Sequence, residues 1–271
     1  MLAPGGLWLI LLFIVPMVAM GSVALQEGTA IEGYRLTWRF ANFADALAKN
    51  QMFFVRSFRN GAIVTAGALL IAYPMAYWIA FYGGRAKSAL LFLILLPFFV
   101  SFVIRTVSWS FILSDEGIVL GPLKSIGLLP QNFRVLATTF SVLSGIIYNL
   151  LPFTILPLYV SLERIDKALV EAAKDLYSNK VQAFLKVVFP LSLPGVFAAV
   201  LLTSIPAMGD YINAEVLGGP GTSMIGNVIQ SEFLIARDYP EAAALAFILM
   251  TAMLIGAIVY ARLLGTEEVT T

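Results

Sequence analysis

Six long apolar stretches, separated by polar segments, dominate the chain. They run roughly over 7–25, 61–82, 90–113, 135–162, 191–208 and 242–264. A helix needs about 20 mostly apolar residues to cross a bilayer. The pattern therefore predicts an all-α membrane protein in which residues 1–271 form one transmembrane domain of six helices.

Five of these stretches contain proline. Proline in a membrane helix frees a backbone carbonyl that a neighbouring helix or water has to satisfy. Such residues are typical of packing kinks, and they also occur at hinges that line a polar path. Internal prolines of these stretches include Pro16, Pro74, Pro97, Pro152, Pro157 and Pro206.

The composition agrees with a membrane protein and excludes several kinds of site. Hydrophobic residues make up 60% of the chain and charged residues 12%, whereas soluble domains have about 45–50% and about 25%. A net charge of +1 gives no reason to expect nucleic acid. The chain has no cysteine and no histidine, which excludes thiolate and histidine metal sites and Ser-His-Asp catalysis. It also lacks a phosphate-binding P-loop motif. We expect no catalytic residue and no metal.

The charged residues give a first orientation. Six helices place both termini on one side, together with the loops 83–89 and 163–190. That side carries eight Lys and Arg and six Asp and Glu, while the opposite side carries eight and ten. The net charges of +2 and −2 favour cytoplasmic termini, because positive residues accumulate on the cytoplasmic side.

The segment 163–190 is charged and has the periodicity of a helix. Leu169, Ala172, Ala173 and Leu176 follow the i, i+3, i+4, i+7 spacing of one helical face. A second amphipathic piece leads to Pro190 and the fifth span. The pattern alone fits either a solvated connector or a helix whose polar groups meet a partner.

The same segment resembles the EAA loop of ABC importer permeases. Glu171-Ala172-Ala173, then Tyr177, Val187 and Pro190 match that motif without a gap, although Tyr177 replaces its glycine. Glycine would allow a tight bend there, so we expect the bend to move to Ser178-Asn179. The resemblance implies a cytoplasmic loop that couples to an ATPase through Glu171, Ala172, Ala173, Asp175, Leu176 and Tyr177.

A wider resemblance covers nearly the whole chain. It is carried by Ile104-Arg105-Thr106 with Trp109, by Leu150-Leu151-Pro152-Phe153, by Ile205 to Asp210 and by Met224 to Ile229. These segments are similar to the spermidine/putrescine permeases, and most similar to their PotB-type subunit. The resemblance implies a type I ABC importer permease, a multi-pass protein of the bacterial cytoplasmic (inner) membrane.

That family implies several partners besides membrane lipid. They are a second, PotC-type permease chain, two ATPase subunits that bind the ATP, and an extracytoplasmic polyamine-binding protein. The sequence does not decide which solute is carried or whether the two permease chains differ.

A polyamine path needs carboxylates or carbonyls for the ammonium groups and aromatic faces for the methylenes. We predict that Asp210 and Glu215 admit the cation and that Trp109, Tyr148, Asn149 and Tyr159 line the path. Alternatives stay open: the acids fit surface loops, the aromatic rings fit lipid-facing anchors, and Asn149 fits a bond to the carbonyl freed by Pro152.

Arg105 is the clearest charge inside a predicted span. A charge there costs about 2.5–3.5 kcal/mol on insertion scales, so we expect it to extend outward to the membrane surface or to pair with an acid or carbonyls of another helix. Proton- or ion-coupled transporters usually carry several such groups, which favours an ATP-driven importer over a secondary transporter. Import of another solute by the same architecture is the main alternative, and an embedded enzyme is the least favoured.

Overall fold

The computed structural model describes residues 6–8, 10–177 and 179–264, which form helices and one β-hairpin. A π-helical turn, Ile10–Ile14, leads into the first α-helix. The α-helices of the described residues are α1 (Val15–Ala24), α2 (Ala41–Tyr82), α3 (Lys87–Leu95), α4 (Phe102–Leu113), α5 (Leu120–Ser125), α6 (Thr139–Glu163), α7 (Lys167–Tyr177), α8 (Lys180–Ala183), α9 (Phe189–Leu191), α10 (Leu193–Gly209), α11 (Ile212–Leu217), α12 (Ile225–Ser231) and α13 (Tyr239–Leu264).

Four helical segments are long and apolar enough to cross a membrane: Gly6–Ala24, α2, α6 and Tyr239–Arg262. Two further candidates are bent pairs. Gly84–Phe99 and Phe102–Leu113 meet at 96°, and Lys180–Leu191 and Leu193–Gly209 meet at 65°. The six predicted spans are found when each bent pair counts as one span.

Contacts between loops show that the third, bent span connects the two ends of α6. At the end of α6, Glu163 forms a 2.6 Å ion pair with Lys87, which begins α3. Near the start of α6, the Ser144 hydroxyl accepts a 3.3 Å hydrogen bond from the Trp109 indole of α4. The start of α3 and the end of α4 therefore lie at opposite ends of α6, as a crossing requires.

The third span, predicted over 90–113 with an internal proline, is not one continuous helix. A 3-10 turn, Leu96–Phe99, follows α3, and Val100 and Ser101 are extended, with ψ of 138° at both. Pro97 lies in the first positions of this turn, where its missing N–H and its ring prevent a regular α-helix from continuing. The result is a break inside the third span.

The predicted loop 26–60 is also largely ordered. Its first part is an antiparallel hairpin of β1 (Gln26–Thr29) and β2 (Gly33–Leu36), with Gln26 opposite Leu36, so the described fold is not wholly α. Its second part is the first half of α2, which begins at Ala41 rather than at 61. This half contains polar residues such as Lys49, so its sequence is less apolar than that of a typical spanning segment. Ala46, Asn50 and Phe54 are nevertheless buried at helical spacing.

Small residues form the centre of the bundle, where α2, α6 and α10 pack together. Every fourth residue of α2 in this region is almost fully buried. Without large side chains the helix axes approach closely, and Thr154 of α6 reaches Thr203 of α10 at 2.8 Å. The stripe consists of Val64, Ala68, Ala72, Ala76 and Ala80.

The N-terminal half of α2 is joined to the start of α13. The Lys49 ammonium and the Asn50 amide both donate to the Glu241 carboxylate, at 2.8 and 3.1 Å. The hairpin joins the same region, because the Tyr34 hydroxyl donates to the Arg237 carbonyl. The hairpin, the N-terminal half of α2 and the start of α13 are therefore connected to one another by hydrogen bonds.

Candidate functional site

Four polar side chains from three helical segments form a connected cluster inside the bundle: Thr106, Asn149, Asp210 and Asn213, called the polar cluster below. Thr106 donates to the Asn213 side-chain oxygen at 3.2 Å. The Asn149 amide donates to both Thr106 and Asn213, at 3.1 and 3.2 Å. Asn213 in turn donates its amide to Asp210 at 2.7 Å. Thr106, Asn149 and Asn213 are almost completely buried.

Local structure explains why the cluster forms. Asp210 follows the last residue of α10, and its carboxylate accepts the Asn213 backbone N–H at 2.8 Å, which caps the first turn of α11. Gly145 of α6 allows α11 to come close. A Cβ at this position would lie 2.9 Å from the Asn213 side-chain oxygen and 3.3 Å from the Trp109 ring.

The Asp210 carboxyl is half-buried just beyond the end of α10. Burial raises its pKa above the ordinary 3.8, although the hydrogen bonds from Asn213 act in the opposite direction. The carboxyl is therefore protonated more readily than an exposed aspartate.

An aromatic pair lies beside the cluster. Trp109 stacks on Tyr148 with ring centroids 5.0 Å apart and planes at 4°. Four of the six predicted path residues thus come together: Trp109, Tyr148, Asn149 and Asp210. Their part in solute passage stays a prediction. Asn149 does not bond the carbonyl freed by Pro152, and its own side-chain oxygen is buried without a partner.

The other two predicted path residues lie elsewhere. Glu215 is exposed and accepts a 3.2 Å bond from the Asn227 amide, in a groove of about 460 Å³ that Phe53 and Glu232 also line. Tyr159 lies near Glu163 at the opposite end of α6. Ten residues separate it from Asn149, or roughly 15 Å of helix.

Sequence reasoning missed Thr106 and Asn213, the residues that connect the cluster. The available signal was the set of polar residues within otherwise apolar segments, because such residues in membrane helices usually face the bundle interior. Asn213 lies between the fifth and sixth predicted spans, and its side chain bonds to Thr106, Asn149 and Asp210.

Arg105 precedes Thr106 on α4 and is only 9% exposed. The expected pairing with an acid or carbonyls of another helix is wrong within the described part of the chain. The guanidinium lies 5.1 Å from the Phe98 ring and 5.7 Å from the Phe102 ring. Its Nε and Nη1 atoms are buried without a hydrogen-bond partner.

The segment with the EAA-like pattern contains a strongly amphipathic helix, α7. Asp166 precedes it and accepts the Ala168 N–H at 2.9 Å. Val170 is buried against the ends of α2 and α6, in a cluster with Ile165. The outward residues Glu171, Ala172, Asp175 and Leu176 are exposed. The side chains of Ala173 and Tyr177 lie outside the described part of the structure.

The bend after α7 falls where the missing motif glycine led us to expect it. The helix ends at Tyr177 and the next one begins at Lys180. Asn179 caps the second helix by accepting the Val181 N–H at 2.9 Å; Ser178 lies outside the described residues. An asparagine cap thus starts a new helix close to the position of the motif glycine.

A group of aromatic rings ties this loop to the bundle. Phe184 begins a π-helical turn, Phe184–Val188, and packs edge-to-face on Tyr73 and Tyr77 of α2, each at 5.7 Å. The Tyr73 hydroxyl forms a 2.7 Å hydrogen bond with Ser192, at the bend before α10. Displacement of the loop therefore acts directly on α2 and α10.

Comparison with known proteins agrees with this geometry. Residues 68–265 match the family described as binding-protein-dependent transport system inner membrane component. The chain is 36% identical over 258 residues to the spermidine/putrescine transport system permease protein PotB of Haemophilus influenzae, covering 94% of this chain and 90% of that protein. It is 33% identical to PotB of Escherichia coli K12, covering 94% and 93%.

The fold is also found among solved structures. A bacterial ABC transporter involved in the import of the acidic polysaccharide alginate contains a chain that matches with a TM-score of 0.71 and 20% identity, covering 100% of this chain and 95% of that one. At this identity the likeness concerns the fold alone. The family match, the relatives that cover most of the chain and this structural similarity together confirm the resemblance drawn from the sequence. The chain belongs to the inner membrane components of binding-protein-dependent transport systems and has the fold of an ABC importer permease.

Proposed function

We propose that this chain is the membrane-spanning permease subunit of an ATP-driven polyamine importer, with its termini and the α7 loop in the cytoplasm. The observation that carries the proposal is the similarity to PotB proteins along 94% of the chain. The chemistry of the polar cluster and its neighbouring rings supports a cationic solute.

A polyamine is a flexible chain of methylenes with several ammonium groups. The unpartnered side-chain oxygen of Asn149 accepts a hydrogen bond from such an ammonium, and Asp210 supplies a nearby negative charge. The stacked rings of Trp109 and Tyr148 suit both methylenes and ammonium groups. Contacts of this kind are individually weak, so the solute is recognised and still released.

The proposal assigns the energy source to partner subunits. Two ATPase subunits bind the ATP, dock on the exposed face of α7 and drive the loop. A second permease chain of the PotC type completes the path, and an extracytoplasmic polyamine-binding protein delivers the solute. Phe184, Tyr73 and Ser192 then carry the displacement from the loop to α2 and α10.

The test is reconstitution with the proposed partners in proteoliposomes. We expect spermidine or putrescine, delivered by the binding protein, to raise the ATPase rate and to accumulate inside, while an acidic oligosaccharide does neither. The chain purified alone is expected to neither bind nor hydrolyse ATP. Stimulation by another solute class and not by polyamines would contradict the cargo, and stoichiometric ATP binding by the isolated chain would contradict the division of labour.

Asp210→Asn gives a pH-dependent prediction. Uptake by the wild-type protein should fall as the pH drops through the raised pKa of Asp210, because the carboxylate loses its charge, and the variant should lack this decline. The pKa of Asp210 is higher in the folded protein than in the unfolded chain, where it is near 3.8, so the folded state binds the proton more tightly. The stability of the wild type relative to the variant should therefore rise as the pH falls from the raised pKa towards 3.8.

Uptake and thermal unfolding, each measured against pH, test both signs. Glu116→Gln is the matched control, because it removes an exposed carboxylate that lies outside the polar cluster. If the wild type and Asp210→Asn show the same pH profile of uptake, Asp210 only holds α11 in place.

A further inference from the structure

A strained and exposed tryptophan lies just beyond the end of the first span. The backbone of Trp38 is left-handed, with φ of 57°, a conformation that a bulky residue rarely adopts. Trp38 is also 64% exposed, so packing inside the chain does not account for the strain. Strained backbone of this kind persists where the surrounding structure enforces it, and it is concentrated at functional positions.

Two hydrogen bonds hold Trp38 at the C-terminal end of α1. The backbone N–H groups of Thr37 and Arg39, on either side of Trp38, both donate to the Leu25 carbonyl, at 3.4 and 3.2 Å. Leu25 directly follows the last residue of α1. Because both neighbouring N–H groups are directed to this one carbonyl, Trp38 forms a bulge between them, and its position at the end of the span is fixed.

The Asn42 side chain strengthens the same junction. Its amide donates to the carbonyls of Ala24 and Gln26, both at 2.9 Å. The last carbonyls of a helix have no partner within that helix, and the bond to Ala24 satisfies one of them. The first turn of α2, which contains Asn42, is therefore bonded to the end of α1.

The end of α1 lies at a membrane surface. Only 6% of the apolar window of Gly6–Ala24 is buried inside the chain, so this helix faces lipid along most of its length. Its 19 residues extend about 28 Å, which is close to the roughly 30 Å of hydrocarbon in a bilayer. Trp8 is exposed near the opposite end of the same helix. The residues bonded to the end of α1 therefore lie at the level of the lipid headgroups.

The residue types at this junction suit that level. Tryptophan is enriched at membrane surfaces because its ring is apolar while its N–H can stay hydrated. Phe40, two residues further along, is 67% exposed. Arg35 is exposed on β2, and a guanidinium binds phosphate groups well. Both aromatic residues are joined to a helix that itself faces lipid, so phospholipid is the apolar partner that continues from α1 to this surface.

We propose that Trp38, together with Phe40, anchors this junction in the phospholipid headgroup region at the end of the first span. The anchor fixes the depth of α1 in the bilayer. Through the bonds of Asn42 it also fixes the level at which α2 begins. The inference requires only that α1 spans the membrane, and it depends neither on the cargo nor on the partner subunits.

The fluorescence of a single tryptophan tests the position of Trp38. Trp8, Trp78 and Trp109 are changed to Phe, and the full chain is reconstituted in phosphatidylcholine vesicles. These vesicles contain lipid that is brominated either near the headgroup or near the end of the acyl chain. We expect the lipid brominated near the headgroup to quench Trp38 roughly twofold more strongly than the other lipid.

A chain that keeps only Trp109 is the control, because this ring is stacked on Tyr148 between α4 and α6. Neither brominated lipid should quench it strongly. If acrylamide in the water quenches Trp38 and the brominated lipids do not, the inference is overturned. It is equally overturned if an added extracytoplasmic binding protein, and not lipid, shields Trp38 from acrylamide.

Trp38→Gly separates anchoring from backbone strain. Glycine adopts a positive φ without strain, so a role limited to the fold predicts a variant at least as resistant to protease as the wild type. In phosphatidylcholine nanodiscs we instead expect trypsin to cut Trp38→Gly after Arg35 or Arg39 several-fold faster than the wild type. Trp38→Tyr keeps an interfacial ring and should retain most of the protection.

Equal cleavage rates of Trp38→Gly and the wild type would show that lipid does not hold this segment. The fluorescence measurement leaves Trp38 intact, so it decides the case in which Trp38→Gly folds poorly.

Discussion

Glu171→Lys is expected to abolish solute-stimulated ATP hydrolysis while the membrane bundle stays folded. Glu171 is exposed on α7, whereas the residues that hold this helix on the bundle, such as Val170, point inward. Loss of a buried charge pair at the ATPase interface costs about 2–5 kcal/mol, which weakens binding roughly 30-fold to several-thousand-fold. ATPase rate, uptake and co-purification of the ATPase subunits are the measurements.

Two further variants calibrate this result. Glu171→Gln removes the charge without reversing it and should have a smaller effect. Glu32→Lys makes the same reversal on the exposed hairpin, at the opposite face of the bundle, and should leave ATPase binding unchanged. Wild-type transport by Glu171→Lys would show that α7 is a connector only.

Asn213→Leu is expected to destabilise the bundle strongly and to stop transport. Leucine has the same branching and the same number of side-chain heavy atoms, but it removes the side-chain bonds to Thr106, Asn149 and Asp210. Each buried polar group left unpaired costs about 1–3 kcal/mol, so a total loss of about 3 kcal/mol or more is expected. Thermal unfolding in detergent measures the stability, and uptake measures the function.

Ser110→Ala is the control for Asn213→Leu. Ser110 lies on α4, the helix that contributes Thr106, and among the described residues its hydroxyl bonds only the Val107 carbonyl of its own helix, at 2.7 Å. Its removal should change the stability by less than about 0.5 kcal/mol. A melting temperature of Asn213→Leu equal to that of Ser110→Ala would show that the polar cluster contributes no stability.

Local signals in the sequence were sufficient for the apolar spans and the α7 loop. A span is recognised from its own composition, and the face of α7 from its own periodicity, so neither needs knowledge of the rest of the fold. The asparagine-capped bend near Asn179 followed from a departure at Tyr177 within a known motif. The family assignment rested on the same continuous segments.

The remaining features depend on contacts that are distant in the sequence. The N-terminal half of α2 is held against α13 by bonds from Lys49 and Asn50 to Glu241, almost 200 residues away. Asn213 reaches the polar cluster because Gly145, which has no side chain, lets α11 approach α6. The average hydropathy of a segment does not show which distant residues pair. It also does not show the break after Pro97, because the residues on both sides are equally apolar.

The length of α2 has a mechanical consequence. Its 42 residues extend about 63 Å at 1.5 Å per residue, roughly twice the hydrocarbon thickness of a bilayer. The C-terminal part of α2 contacts the aromatic ring of Phe184 in the α7 loop, and the N-terminal part binds Glu241. If a helix of this length tilts by about 5° about its C-terminal end, its N-terminal end moves by roughly 5 Å. A small displacement at one membrane surface is thereby magnified at the opposite one.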